Sequence, residues 1–434
     1  MLFNMKMLRL NEKKGTDLSF SVLILLCLLR LCLTFTVGFS FFNLTNVILF
    51  GGIAVCYYCV LKKKYCSCFF GANIFFLFCN IVMVALSNVF STTPEYKSTA
   101  SLYTKHLLVL LLIWGIYVYL TNVKLRTLKI YLFVYLFSVA ISSCYTSFVA
   151  LNSSNEEVIR ATAYGVYDSS FPLVYGGFDF VYALVIIYTA VLISAKFAWN
   201  KIALYGKIVV IILELIFSFT VIVASYGTAF TLIFIFTLWQ LLPKGYIRIL
   251  VIMIFVSVVY FTPQIITKFV ESIPYIPELT SSRLNELILS LSGRGSSGYI
   301  TDDGQRIDRI RWSLEVFFEN PVFGGVVNDT QLTFGYHTEW IDQLARYGFV
   351  TALFNSAFWL FTYNKIKSNA IAYDKTNVSY KCVKNCFVMF LILGFLDPVS
   401  MVVTACPLFV LAPFIPKFFI KESFVKSDSL STKE

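Results

Sequence analysis

The sequence predicts an all-α polytopic membrane protein with about twelve transmembrane helices, both termini cytoplasmic, and one large outer loop between the ninth and tenth spans. Three observations carry that expectation. Apolar residues make up 58% of the chain and charged residues 14%, whereas soluble globular proteins carry roughly 25% charged residues. The apolar residues fall in runs of bilayer-crossing length, roughly 20 residues each. The basic residues gather at every second gap between those runs, the pattern of cytoplasmic loops.

In chain order the runs lie near 18–37, 41–61, 69–90, 104–120, 130–151, 173–194, 208–224, 228–243, 247–263, 347–363, 384–398 and 401–419. The first, Leu18 to Val37, has no small-residue cleavage site after it and reads as a spanning helix that also serves as the targeting signal. Lys6, Arg9, Lys13 and Lys14 precede it. Lys62 to Lys64 follow the second run, Lys124, Arg126 and Lys129 the fourth, and Lys196, Lys201 and Lys207 the sixth. Lys244 and Arg248 follow the eighth, Lys365, Lys367, Lys375, Lys381 and Lys384 the tenth, and Lys417, Lys421 and Lys426 the twelfth. The organisation expected is therefore spans one to nine over 1–263, an outer loop over 264–346, spans ten to twelve over 347–421 and a polar cytoplasmic tail over 422–434. A second, shorter outer loop runs from Asn152 to Pro172.

The net charge of +11 is dispersed as short lysine clusters between apolar runs, so no nucleic-acid partner is expected. The eleven cysteines lie inside apolar runs or on their lysine-rich flanks, and none falls in the large outer loop. They read as small packing residues. Cys56-x-x-Cys59 lacks a second pair of the same spacing, so no metal centre is expected.

The large loop departs from this pattern. Of the chain's 35 basic residues, the loop holds Arg283, Arg294, Arg306, Arg309, Arg311 and Arg346 but a single lysine, Lys268. The remaining 28 are 23 Lys and 5 Arg. Arginine presents a planar fork that matches phosphate oxygens bidentately, whereas lysine acts as a point charge. Phosphate recognition and salt bridges to Asp302, Asp303, Asp308 and Glu315 are the two readings of the cluster. Gln305 to Asn320 reads as an amphipathic helix capped by Asp303, with Ile307, Ile310, Leu314, Phe317 and Phe318 on one face. Asn320-Pro321 ends it. Beyond Gly324-Gly325 comes His337, one of two histidines, with Thr338 as the expected N-cap of the next helix. The positive end of a helix favours a neutral imidazole, which can act as a general base. Glu339, Asp342 and Arg346 should share one face of that helix. Arg160, in the smaller loop, is either a second phosphate clamp or an ion-pair partner of Glu156 and Glu157. His106 reads as an interfacial residue opening the fourth span. Arg30, Asp179 and Glu214 are intramembrane ionisable groups and thus functional candidates.

These residues resemble the O-antigen polymerase and O-antigen ligase family of bacterial membrane glycosyltransferases. The resemblance rests on Ser292-Gly293-Arg294, Arg309-x-x-Trp312, Glu319-Asn320-Pro321-Val322-Phe323-Gly324, His337-Thr338-Glu339-Trp340 and Leu344-Ala345-Arg346-Tyr347-Gly348, an ordered array of about 60 residues in this chain. Elsewhere only topology matches. Family members often carry Ser-Arg-Gly at a tight outer turn, where this chain reads Ser225-Tyr226-Gly227-Thr228, and Gly295 to Gln305 looks like an insertion. The resemblance implies a metal-independent polymerase of the bacterial inner membrane with no cofactor. It would join undecaprenyl-pyrophosphate-linked oligosaccharide repeat units on the outer face, with a chain-length regulator and a flippase as expected partners. His337 would take the acceptor proton, and Glu339 would orient His337 or the acceptor. Arg160, Arg294, Arg306, Arg309, Arg311 and Arg346 would hold pyrophosphate and glycan. No Asp-x-Asp occurs in either long outer loop, consistent with arginines in the place of a metal. A ligase that passes finished glycan to lipid A core, and a lipid-linked oligosaccharide flippase, are the alternative readings.

Overall fold

A computed structural model describes residues 21–22, 24–27, 51, 69–90, 94–153, 158–162, 168–171, 175–224, 226–242, 245–246, 249–250, 253–254, 257, 302–325, 338–373, 377–396 and 401–420. The expected spans 18–37, 41–61 and 247–263, most of the large loop and the tail lie wholly or mostly outside these residues. The described residues are almost entirely helical. They form α1 (Ala72–Phe90), α2 (Pro94–Asn122), α3 (Leu125–Asn152), α4 (Phe178–Ala198), α5 (Leu204–Val223), α6 (Gly227–Leu241), α7 (Asp302–Glu319), α8 (Glu339–Tyr373), α9 (Val378–Leu396), α10 (Met401–Cys406) and α11 (Ile415–Phe419). Among them, five helical segments are long and apolar enough to cross a membrane: Tyr103–Asn122, Leu125–Asn152, Phe178–Lys201, Leu204–Val223 and Val378–Leu396.

The distribution of exposed side chains explains why the chain needs a bilayer. On α3, Ile130, Phe133, Phe137, Ile141, Phe148 and Leu151 are all exposed, at the three- and four-residue spacing of one helical face. Leu204, Ile208, Ile211, Leu215 and Phe219 make a similar stripe on α5. A soluble protein does not leave such faces in water. The chain is therefore a membrane protein. Inside the bundle, α4 is buried almost all round, as expected of a central helix. Small and hydroxyl residues bring helices close: Ser147 Oγ and Thr220 Oγ1 meet at 2.9 Å between α3 and α5, and Cys382 and Cys386 on α9 reach the Ala190 and Ile186 carbonyls of α4. The cysteine positions retreat along α4 as they advance along α9, so the two helices are antiparallel.

One end of the bundle gathers lysines. Lys381 lies 3.9 Å from the Phe197 ring centroid, Lys196 donates to the Gln240 carbonyl, and Lys207 stands over Trp199. Ser21 donates or accepts at Tyr119 nearby, and Ile202 bridges to Ile420. Residues from both ends of the described chain thus lie at the lysine-bearing end.

Two helices differ from expectation. The run 401–419 is no single helix: α10 passes into a π-helical turn, Pro407–Leu411, and then into α11. Pro407, Pro413 and Pro416 each lack the N–H that a continuous helix requires. In α8, Gly348 has φ 73 and ψ −179, so a 339–347 arm precedes the 349–373 arm at a sharp break. Asn355 donates to Gln343 at 2.7 Å, although twelve residues of straight helix would separate them by about 18 Å. The first arm is therefore folded back on the second.

Candidate functional site

The site is built around that break, at the end opposite the lysines. Gly348 interrupts the helical ladder, so Phe349 and Val350 need new acceptors. The turn after α7 supplies them: Phe349 N donates to the Pro321 carbonyl at 2.8 Å and Val350 N to the Val322 carbonyl at 3.4 Å. Gly324, at φ 74, closes against the same place. A Cβ there would stand 2.4 Å from the Arg346 carbonyl, and one at Gly348 would stand 2.3 Å from the Val322 carbonyl. The Asn320–Gly324 and Arg346–Gly348 segments interlock backbone to backbone, which explains why both carry glycine.

A second tie joins α7 to the start of α8. Asp342 accepts from Ser313 Oγ at 2.6 Å and from the Thr338 backbone N–H at 3.1 Å. Thr338 occupies the expected capping position, since its carbonyl accepts from Asp342 N at 3.0 Å. Its hydroxyl, however, makes no hydrogen bond among the described residues; the polar tie at this terminus runs from Thr338 N–H to Asp342. Trp340 then anchors the arm on α9. Its indole donates to the Leu391 carbonyl at 3.0 Å and lies where any Cβ at Gly394 would intrude.

The inward side of the arm carries Glu339. Gln343 donates to Glu339 Oε1, and no other hydrogen bond reaches the carboxylate from the described residues. Burial pushes the Glu339 carboxyl up to about 7, against the opposing pull of Arg346 and the Gln343 bond, while Asp342 and Asp179 add to the rise. Asp179, in the first turn of α4, is thus the acidic neighbour from across the bundle. Tyr103 of α2 stacks on Tyr347, ring centroids 4.7 Å apart.

The described residues between α3 and α4 lead into Asp179 at the same end. Asp168 accepts from Ser170 N and Ser153 Oγ, and these bonds hold its carboxyl below the usual range, the Ser170 backbone bond most of all. Gly176 N donates to Thr146 Oγ1 at 2.8 Å. Tyr226, in the α5–α6 turn, packs on Phe178 and donates to the Ile159 carbonyl.

The expected site residues fare unequally. Glu339 and Arg346 come together, with Asp342 close enough to raise Glu339 but hydrogen-bonded to α7. Arg311 is 75% exposed and pairs with Glu315 at 2.9 Å. His337 and Arg294 lie outside the described residues, as do the side chains of Arg160, Arg306 and Arg309. The backbone of Arg160 lies in the single helical turn Val158–Ala161, and that of Arg306 and Arg309 in α7. The amphipathic helix begins at Asp302, three residues earlier than expected, which puts Asp303 inside its first turn. Its inward face includes the fully buried Ser313, and Phe318 is 72% exposed rather than inward. His106 lies in the first turn of the apolar segment Tyr103–Asn122, in a helix that starts earlier, at Pro94. Arg30 lies outside the described residues, and Glu214 is half-buried in α5. Sequence reasoning passed over Tyr103, Asn80, Gln343 and Asn355. The available signal was an amide inside an apolar run, at Asn80 and Asn355, where polar groups need a reason.

No protein-family model matches the chain, and no curated protein matches it.

Proposed function

We propose that this chain is a surface-polysaccharide (O-antigen) polymerase of the bacterial inner membrane, with twelve spans and cytoplasmic termini. It is a metal-independent glycosyltransferase that joins undecaprenyl-pyrophosphate-linked repeat units on the outer face. The observation that carries this reading is the interlock of Asn320–Gly324 with Arg346–Gly348. Two segments of the resemblance, more than twenty residues apart in sequence, meet in space beside a buried carboxyl and an arginine.

Outside the cytoplasmic membrane there are no nucleotide sugars, so the donor must be a glycan carried on a lipid diphosphate. The acceptor hydroxyl oxygen forms the bond to the donor's anomeric carbon as the carbon–oxygen bond to diphosphate breaks, and the electron pair leaves with the diphosphate. His337 takes the hydroxyl proton. Arg306 and Arg309 of α7, with Arg294, Arg346 and Arg160, hold the departing diphosphate, where hydrogen bonds to charged groups contribute roughly 1.5–3 kcal/mol each and strengthen as charge develops. Glu339 orients the histidine or the acceptor.

The test is a gel of the surface glycan from a strain lacking the gene, with and without its restoration. Collapse of the ladder to core plus one repeat unit supports the polymerase. Glycan-free core with accumulated lipid-linked polymer means a ligase instead, and an unchanged ladder removes both.

A further inference from the structure

Three amides stand in a row between α1 and α8. Asn80 Nδ2 donates to Asn355 Oδ1 at 3.4 Å, Asn355 Nδ2 donates to Gln343 Oε1 at 2.7 Å, and Gln343 Nε2 donates to Glu339 Oε1. All three amide residues are buried, Asn80 completely. Every bond points the same way, donor toward Glu339, so the amide dipoles add head to tail and polarise one another. Packing alone does not require this row: apolar residues would fill the α1–α8 seam without the cost of burying amides. The row exists only because Gly348 folds the 339–347 arm back to the level of Asn355.

We infer that Asn80, Asn355 and Gln343 are positioning residues that favour the ionised form of Glu339 and keep Oε1 occupied, so that Oε2 accepts a hydrogen bond from a glycan hydroxyl. The ligand class rests on the function proposed above; the amide row's effect on the carboxyl does not. Groups that face Glu339 are Arg346 and Asp342 from its own helix, Asp179 from α4, and Tyr103 from α2 with Tyr347 stacked on it. Arg346 favours the carboxylate and the two aspartates oppose it. Burial alone would leave Glu339 protonated at neutral pH, a donor rather than an acceptor.

The test reads the carboxyl directly. Purified protein in lipid nanodiscs is titrated by infrared difference spectroscopy, and the Glu339 carbonyl band is identified by its loss in Glu339→Gln. Asn355→Leu removes the donor that orients Gln343 and should move the midpoint up by as much as about one pH unit, the worth of the Gln343 hydrogen bond to the charged carboxylate. Asn80→Leu should move it in the same direction by less, and Asn355→Gln should restore part of the Asn355→Leu shift. An unchanged midpoint in a folded Asn355→Leu protein overturns the inference. Because no substrate enters this titration, its outcome is separate from that of the glycan gel. In a strain whose gel supports the polymerase, Asn355→Leu should shift the acid limb of the pH–rate profile upward. A uniform loss at all pH values would instead mark the row as merely structural.

Discussion

Replacing Gly348 by alanine attacks the element on which the α7–α8 joint depends. Its φ of 73 with ψ near −179 belongs almost solely to glycine, and a side chain there costs about 1–3 kcal/mol in strain. The added Cβ would also stand 2.3 Å from the Val322 carbonyl and 2.5 Å from Gly324 N. Both are backbone atoms that cannot rotate away, so the 320–324 turn must retreat. Retreat lengthens the Phe349–Pro321 and Val350–Val322 bonds, each worth roughly 0.5–1.5 kcal/mol. Together these give a local loss of about 3 kcal/mol. Hydrogen exchange read by mass spectrometry on the peptide containing Phe349 and Val350 should then accelerate roughly 100-fold. Gly245→Ala is the control. It also has positive φ, 103, but no described residue lies within 4 Å, so it carries strain without a clash there and leaves the 349–350 amides alone. Wild-type exchange at those amides in Gly348→Ala would refute the interlock.

Further expectations concern the proposed function and the contacts of the α7–α8 joint. If the proposed function holds, His337→Ala should abolish polymerisation while membrane insertion and abundance stay normal, and full activity in that variant removes the histidine from the chemistry. The Glu339 carboxyl is raised from 4.5 to about 7, so the folded state binds a proton that the unfolded chain releases earlier. Stability is therefore greatest below pH 4.5 as far as this group is concerned, and is lost as pH rises through about 7, by about 3 kcal/mol in all. Glu339→Gln should raise the melting temperature at pH 8 and flatten its decline between pH 5 and 7; parallel melting curves for the two proteins would contradict the burial. Asp342→Ala severs α7 from the arm and should cost about 2–4 kcal/mol, and Ser313→Ala about 1–2. Their effects should couple by at least 1 kcal/mol in a double-mutant cycle on thermal stability, and strict additivity would show that Ser313 and Asp342 do not act together.

The helical architecture was legible because hydropathy responds to the same solvent that shapes the fold. Runs such as 130–151 and 208–224 reappear within a few residues as α3 and α5. The broken segments were less legible. Pro407 and Pro416 announced the interruption near the C-terminus, but a run of apolar residues still satisfies the span criterion when its backbone is kinked. Gly348 was visible only as the end of a short motif. Its consequence, a helix folded back so that Gln343 meets Asn355, depends on tertiary acceptors at Pro321 and Val322 that no local pattern encodes. The same reasoning explains the site. Glu339 and Arg346 were readable from charge in a loop, whereas the amide row became meaningful only once residues 80, 343 and 355 stood together. Phe318 was misplaced because apolar spacing cannot tell a face turned to the bundle from a face turned outward.

The α7–α8 joint also separates the arginines by position. Ser313 is locked to Asp342, one turn along from Glu339. Counting back along α7 at 100° per residue, positions 309 and 306 share the Ser313 face, about 6 Å and 10 Å away along the axis. Position 311 lies 200° round the helix from Ser313, and its side chain is exposed and paired with Glu315, an arrangement worth at most about 0.5 kcal/mol to stability. On the proposed function, a diphosphate held close to Glu339 would therefore be met by helix positions 309 and 306 and not by 311. Arg309→Ala should lower turnover about 10- to 100-fold, the effect of one charge-assisted hydrogen bond. Arg309→Lys should recover little of it, because an ammonium cannot replace the guanidinium fork. Arg311→Ala should leave both melting and turnover close to wild type. Turnover measured on membranes with normal protein abundance decides the matter: a larger loss from Arg311→Ala than from Arg309→Ala would put the anion on the opposite face of α7 and break the link between this helix face and Glu339.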